Sequence, residues 1–196
     1  MLRAHRIAPA LATAVLTAAA LTTAGTAHAA TATAGAHAAT APHTRAALAA
    51  TCSQSYLPLP DPVCTPGATN PDVTQDTIDD TICVGGYSTS IRPSTSYTNR
   101  LKVQQIAQYG YADTNTADYE EDHFIPLSLG GHPTDPRNLW PEPRYAVGPD
   151  SQASTDKDSV EYKLYRAVCN HQVDLVPAQR AIATDWTTAL SVLGLG

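Results

Sequence analysis

The sequence predicts a small α+β domain stapled by disulfides. Three observations carry that expectation. Apolar residues at helical spacing mark three helices, two short extended runs lie between the first helix and the second, and an even set of four cysteines falls beyond residue 50. Residues 51–196 suit a single domain, and no internal repeat is visible.

The chain opens on "MLRAHR", runs through the small and apolar "IAPALATAVLTAAALTTAG", and reaches "AHA" at Ala27 to Ala29. A basic start, an apolar stretch and a small-x-small site are what translocation and signal-peptidase cleavage require, so residues 1–29 read as an export signal. The stretch is too weakly apolar, with Pro9 inside it, for a durable membrane span. The mature chain is therefore expected to be secreted and free of the membrane. Residues 30–50, "ATATAGAHAATAPHTRAALAA", hold no large apolar side chain except Leu48 and read as a disordered spacer, unable to offset the entropy of ordering.

Residues 51–80, rich in Pro, Asp and Thr, read as coil with short turns. "TICVGGYS", 81–88, has a β-branched core ended by Gly-Gly and predicts a short strand and turn. Residues 92–110 predict a helix, capped by a Ser/Thr cluster, with Leu101, Ile106 and Tyr109 near one face and Gly110 closing its end. "HFIPLSL" reads as a strand interrupted by Pro126, and Gly130-Gly131 turns the chain into the "HPTDPRN" loop. "NLWPEP" is a second extended piece, since Pro141 and Pro143 forbid a helix. Residues 154–169 predict a helix through Val160, Leu164 and Val168, its early turns enriched in acid as the dipole favours. A last helix starts with Pro177 in its first turn and turns Ala181, Trp186 and Leu190 inward. Both tryptophans, Trp140 and Trp186, are expected in the core.

Cys52, Cys64, Cys83 and Cys169 all lie in the exported part, where two disulfides and three pairings are possible. Cys52 and Cys64 flank the Pro-rich "SQSYLPLPDPV", too stiff to fold alone, which favours a local staple there and leaves Cys83 to Cys169. No Cys-x-x-Cys occurs to suggest zinc or thiol redox work. Losing residues 1–29 removes Arg3 and Arg6, so 12 basic against 18 acidic residues becomes 10 against 18, a formal −8. That balance opposes binding driven mainly by phosphate contacts. Serine-hydrolase, zincin and Walker-type signatures are absent.

One stretch stands apart: "YEEDHFIPLSLGGHPTDPRNLWPEP", where three carboxylates lead into His123 and an asparagine follows fifteen positions later. In strand alternation Glu121 and His123 share one face, Glu120 and Asp122 the other. This stretch, with "KDSVEYKL" and "VC" after it, resembles the HNH endonuclease (His-Me finger, ββα-metal) superfamily, and in particular small exported actinobacterial-type HNH-like proteins. The finger itself covers about residues 119–165; a wider likeness runs from about 81 to 187.

The resemblance implies two short strands and a helix around one divalent ion, and hydrolysis of phosphodiesters in DNA or RNA. By it, Asp122 is a metal ligand, His123 the general base and Asn138 the residue that orients the imidazole. The helix carries no second histidine; "KDSVE" stands there, so Glu161 takes the remaining ligand role and Lys157 a phosphate contact. An Asp122 and Glu161 site is hard-oxygen in character and calls for Mg²⁺, Mn²⁺ or Ca²⁺ rather than Zn²⁺, with Mg²⁺ or Mn²⁺ favoured. Arg137 and Arg144, flanking the second strand, are the favoured substrate contacts, with Arg92, Arg100 and Lys102 a further basic strip. The rival reading is a non-catalytic exported binding or structural module that keeps the finger as scaffold.

Overall fold

The computed structural model describes residues 51–146 and 153–196; the expected export signal and spacer lie outside the described residues. The chain folds as a mixed α+β structure, with helices α1 (Tyr87–Ile91) and α2 (Thr95–Gln108), strands β1 (Tyr119–His123) and β2 (Leu139–Pro143), then helices α3 (Ser154–Cys169), α4 (Leu175–Asp185) and α5 (Ala189–Val192). Short 3₁₀ turns at Gln75–Asp80, Leu127–Leu129 and Pro136–Asn138 fill the connections.

α2 begins where the sequence placed its cap: the Ser94 hydroxyl accepts the Tyr97 N–H at 3.4 Å. Gly110, at φ +64°, lets the chain leave the helix. α3 has the predicted bounds. α4 starts two residues before Pro177, which therefore sits in its first turn, and Trp186 ends the helix fully buried.

The two strands form an antiparallel ribbon, Glu120 opposite Glu142 and Asp122 opposite Trp140. The bonds bracketing the ladder run from Phe124 N–H to Asn138 O and from Arg144 N–H to Asp118 O. Both fall on even-numbered pairs. Alternation then puts the bonded pairs at Glu120/Glu142 and Asp122/Trp140 and leaves Pro141 and Pro143 at unbonded positions, where a missing N–H costs the ladder nothing.

Two expectations need correction. Residues 81–88 form no strand: the sheet's two strands pair with each other, and Gly86, left-handed at φ +89°, turns the chain into α1. The first strand lies on the acidic run Tyr119–His123 rather than on "HFIPLSL"; beyond His123 the chain leaves the ladder and coils into the Leu127–Leu129 turn.

α2 packs against both strands, and α3 packs against the Leu127–Leu129 turn, α4 and α5. Between them Ile106, Tyr109, Trp140, Leu164, Val168, Ile182 and Trp186 form one buried core. Two disulfides staple it, Cys52–Cys64 and Cys83–Cys169, the pairing the spacing favoured. The first loop is also tied inward by Trp186 Nε1, donating to Pro58 O at 3.1 Å, and by the Tyr109 hydroxyl, which accepts from the Asp61 N–H at 3.2 Å.

Candidate functional site

Alternation along β1 divides the acidic run as expected. Asp122 turns toward α3, where Lys157 Nζ donates to its Oδ2 at 2.7 Å. The same ammonium donates to the His123 carbonyl at 3.2 Å and to Glu161 Oε1, one turn along the helix. Lys157 is only 1% exposed because it sits on the core-facing stripe of α3, seven residues before Leu164 and three before Val160. Its three protons meet three oxygens, so it has no donor left for a phosphate. The expected substrate role of Lys157 is thus replaced by an internal one.

Asp122 and Glu161, the two expected ligands, do come together, but around an ammonium. Burial opposes charge on Lys157, yet Asp122, Glu161 and Glu142 outweigh it and raise its pKa. Their own balance is less favourable. Glu142, in β2 opposite Glu120, is pushed well up by burial and by Asp122, Glu161 and Glu120, and Glu161 is raised by burial against the pull of Lys157. Glu120 and Asp158 are raised in the same way, burial first and Asp122 next. Five carboxylates thus face two cations, Lys157 and Arg144, whose Nη1 reaches Glu120 at 3.0 Å. Glu142 was not singled out from the sequence; only the register reveals it.

His123 lies on the other side. Its imidazole is 4% exposed, and Nε2 lies 2.9 Å from the Pro133 carbonyl, an acceptor only. Nε2 therefore carries the proton, and in the neutral ring Nδ1 keeps the lone pair, with no partner among the described residues. Burial pushes the imidazole below its usual pKa; Arg92 and Lys157 push the same way, while the Pro133 hydrogen bond and Asp122 oppose them. At neutral pH the ring is an uncharged base.

Asn138 does not touch that ring. Fully buried, it accepts the Ile125 N–H at 2.9 Å and the Ala68 N–H at 3.4 Å, and donates to Ile125 O at 3.0 Å and His132 O at 3.1 Å. Its amide is saturated by backbone. It pins the 125–132 loop, and the Pro133 carbonyl at the end of that loop orients the imidazole. Gly131 lets the loop close: a Cβ there would lie 1.7 Å from Ile125 O. His132 accepts the Asp135 N–H on Nδ1 at 2.9 Å and shapes the same loop.

The basic candidates scatter. Arg137 forks onto Asp135 at the surface, its Nη2 at 2.6 Å from Oδ2. Lys102 is buried, donating to Thr116 O at 3.1 Å and Tyr119 O at 3.0 Å, and leaves the expected basic strip. Arg92 and Arg100 are exposed. Glu121, on the imidazole's side of β1, is half-buried with both carboxyl oxygens shielded and unpartnered among the described residues, and burial raises its pKa to about 8, Lys102 opposing.

No family model, no curated protein and no solved structure matches the chain. The reading of the site therefore stands on its own contacts. Those contacts do not fit the divalent ion the resemblance implies. The space between Asp122 and Glu161 holds an ammonium, and among the described residues no group of three or more His, Cys, Asp or Glu side chains is spaced to hold a metal.

Proposed function

We propose that the chain is an exported phosphodiester hydrolase of HNH type, cleaving DNA or RNA with little sequence preference, with His123 as general base. The observation that carries the reading is the state of that imidazole: buried, neutral, fixed as the Nε2–H tautomer by Pro133, and keeping a lone pair on Nδ1. A ring nitrogen with a lone pair and no partner among the described residues can accept a proton from a water. In the step proposed, a water oxygen bonds to phosphorus as its proton passes to Nδ1. The bond to the leaving oxygen breaks, and that oxygen takes a proton from solvent. Arg92, close enough to lower the His123 pKa, is the cation best placed to meet the phosphate.

The second reading, a non-catalytic exported module built on the same scaffold, is favoured by one observation. The ammonium nearest the imidazole is wholly engaged with protein oxygens and offers the transition state no charge. Incubating the mature protein with plasmid DNA and with RNA, in Mg²⁺, Mn²⁺ or EDTA, separates the two. Cleavage abolished by His123→Ala supports the hydrolase; intact polymers in every condition leave the module.

A further inference from the structure

We infer that Lys157 is the resident cation of this site: its ammonium takes the place between strand and helix carboxylates that the resemblance gives to a divalent ion, and the native chain binds no metal there. This goes beyond the proposed hydrolase, whose step uses His123 and Arg92, and stands on the contacts of Lys157 alone.

Three features carry it. The first is coordination. Asp122 Oδ2 at 2.7 Å, the His123 carbonyl at 3.2 Å and Glu161 Oε1 come from two elements and converge on one nitrogen. A small cage of hard oxygens is what a divalent ion would seek, and three ammonium protons satisfy it one for one. The second is anchorage. At 1% exposure, on the stripe that α3 buries through Leu164 and Val168, the lysine stem is held by packing and has no route to water without opening the helix face. A metal entering the cage would leave that ammonium buried without acceptors, which disfavours the exchange strongly. The third is the donor count. Once Lys157 holds one oxygen each of Asp122 and Glu161, no further donor group of three or more is assembled among the described residues.

The excess of carboxylates around Lys157 fits the same picture. One fixed cation carries a single charge, where a divalent ion would carry two, so the neighbouring Glu142 and Glu120 remain incompletely compensated.

The test reads metal binding, not cleavage. Trp140 sits opposite Asp122 in the ladder and would sensitise Tb³⁺ bound between Asp122 and Glu161. For the wild-type mature protein, Mn²⁺ titration followed by electron paramagnetic resonance is expected to show no stoichiometric loss of free-ion signal up to roughly 1 mM, the weak end of oxygen-ligand sites. Lys157→Ala is expected to gain a saturable Tb³⁺ emission, at least about tenfold tighter than wild type, that adding Glu161→Gln removes. Lys157→Gln, which keeps most of the stem without the charge, replaces the alanine variant if circular dichroism shows the latter unfolded. One Mn²⁺ per wild-type chain, lost in Glu161→Gln, would overturn the inference, as would a folded Lys157 variant that gains no binding. Absence of nuclease activity would sink the hydrolase reading and leave this one standing; a wild-type metal site would do the reverse.

Discussion

Asp122 and Lys157 join the acidic strand to the helix that follows it, carboxylate to ammonium at 2.7 Å, with Lys157 almost wholly buried. Removing one member of such a buried group leaves the others charged and unpaired. Lys157→Ala is therefore expected to lower the stability of the folded chain by about 3 to 5 kcal/mol at pH 7. Urea unfolding followed by tryptophan fluorescence measures it; a change below about 1 kcal/mol would mean the carboxylates find water instead.

Glu121 supplies the pH dependence. Its folded pKa, about 8, lies above the ordinary 4.5 because burial disfavours the charged form. The native state then holds a proton that the unfolded chain has released, so this group erodes stability as pH rises from about 4.5 through about 8. Glu121→Gln removes the effect. The variant should match wild type near pH 4 and exceed it by roughly 2 kcal/mol or more at pH 9. Denaturation midpoints across that range decide it, and parallel curves would refute the assignment.

The loop behind the imidazole depends on a missing side chain. A Cβ on Gly131 would stand 1.7 Å from the Ile125 carbonyl and 2.8 Å from Asn138 Nδ2. Gly131→Ala should cost on the order of 3 kcal/mol or more, since the obstacle is backbone and cannot swing aside. It should also move the His123 ring resonances in NMR spectra, because the displaced loop carries the Pro133 carbonyl. Unchanged His123 shifts in a destabilised variant would uncouple loop and ring.

The two disulfides should weigh unequally. Cys83–Cys169 spans 86 residues and Cys52–Cys64 spans 12. On loop-closure entropy, replacing the first pair by alanine should cost about 4.5 kcal/mol and the second about 3. Double-alanine variants compared by thermal unfolding test the order, and mass spectrometry of the native protein should show no free thiol.

Much of the fold was legible because its signals are local. α3 combines a four-residue apolar repeat with acid in its first turn, and the Cys52 and Cys64 flanks mark a loop that needs a staple. The failures are non-local. A β-branched run at 81–88 looks like a strand until one asks what would pair with it, and Tyr119–His123 looks too acidic for a strand until β2 supplies the register. At the site, His123 and the neighbouring carboxylates were visible in sequence, while Glu142 and the amide contacts of Asn138 needed the folded chain. Lys157 was half visible: its spacing to Leu164 places it on the buried stripe, but charge argues for a solvated face, and only the carboxylate partners reverse that preference.

The two prolines of β2 bear on how the ribbon's open edge is guarded. With Pro141 and Pro143 turned away from β1, the ribbon's outer margin lacks two of the amides a visiting strand would grasp, and Gln105 Nε2 already occupies the Leu139 carbonyl at 2.8 Å. That margin, buried along the whole of β2, gives an incoming strand few groups to pair with, so the ribbon stays two-stranded.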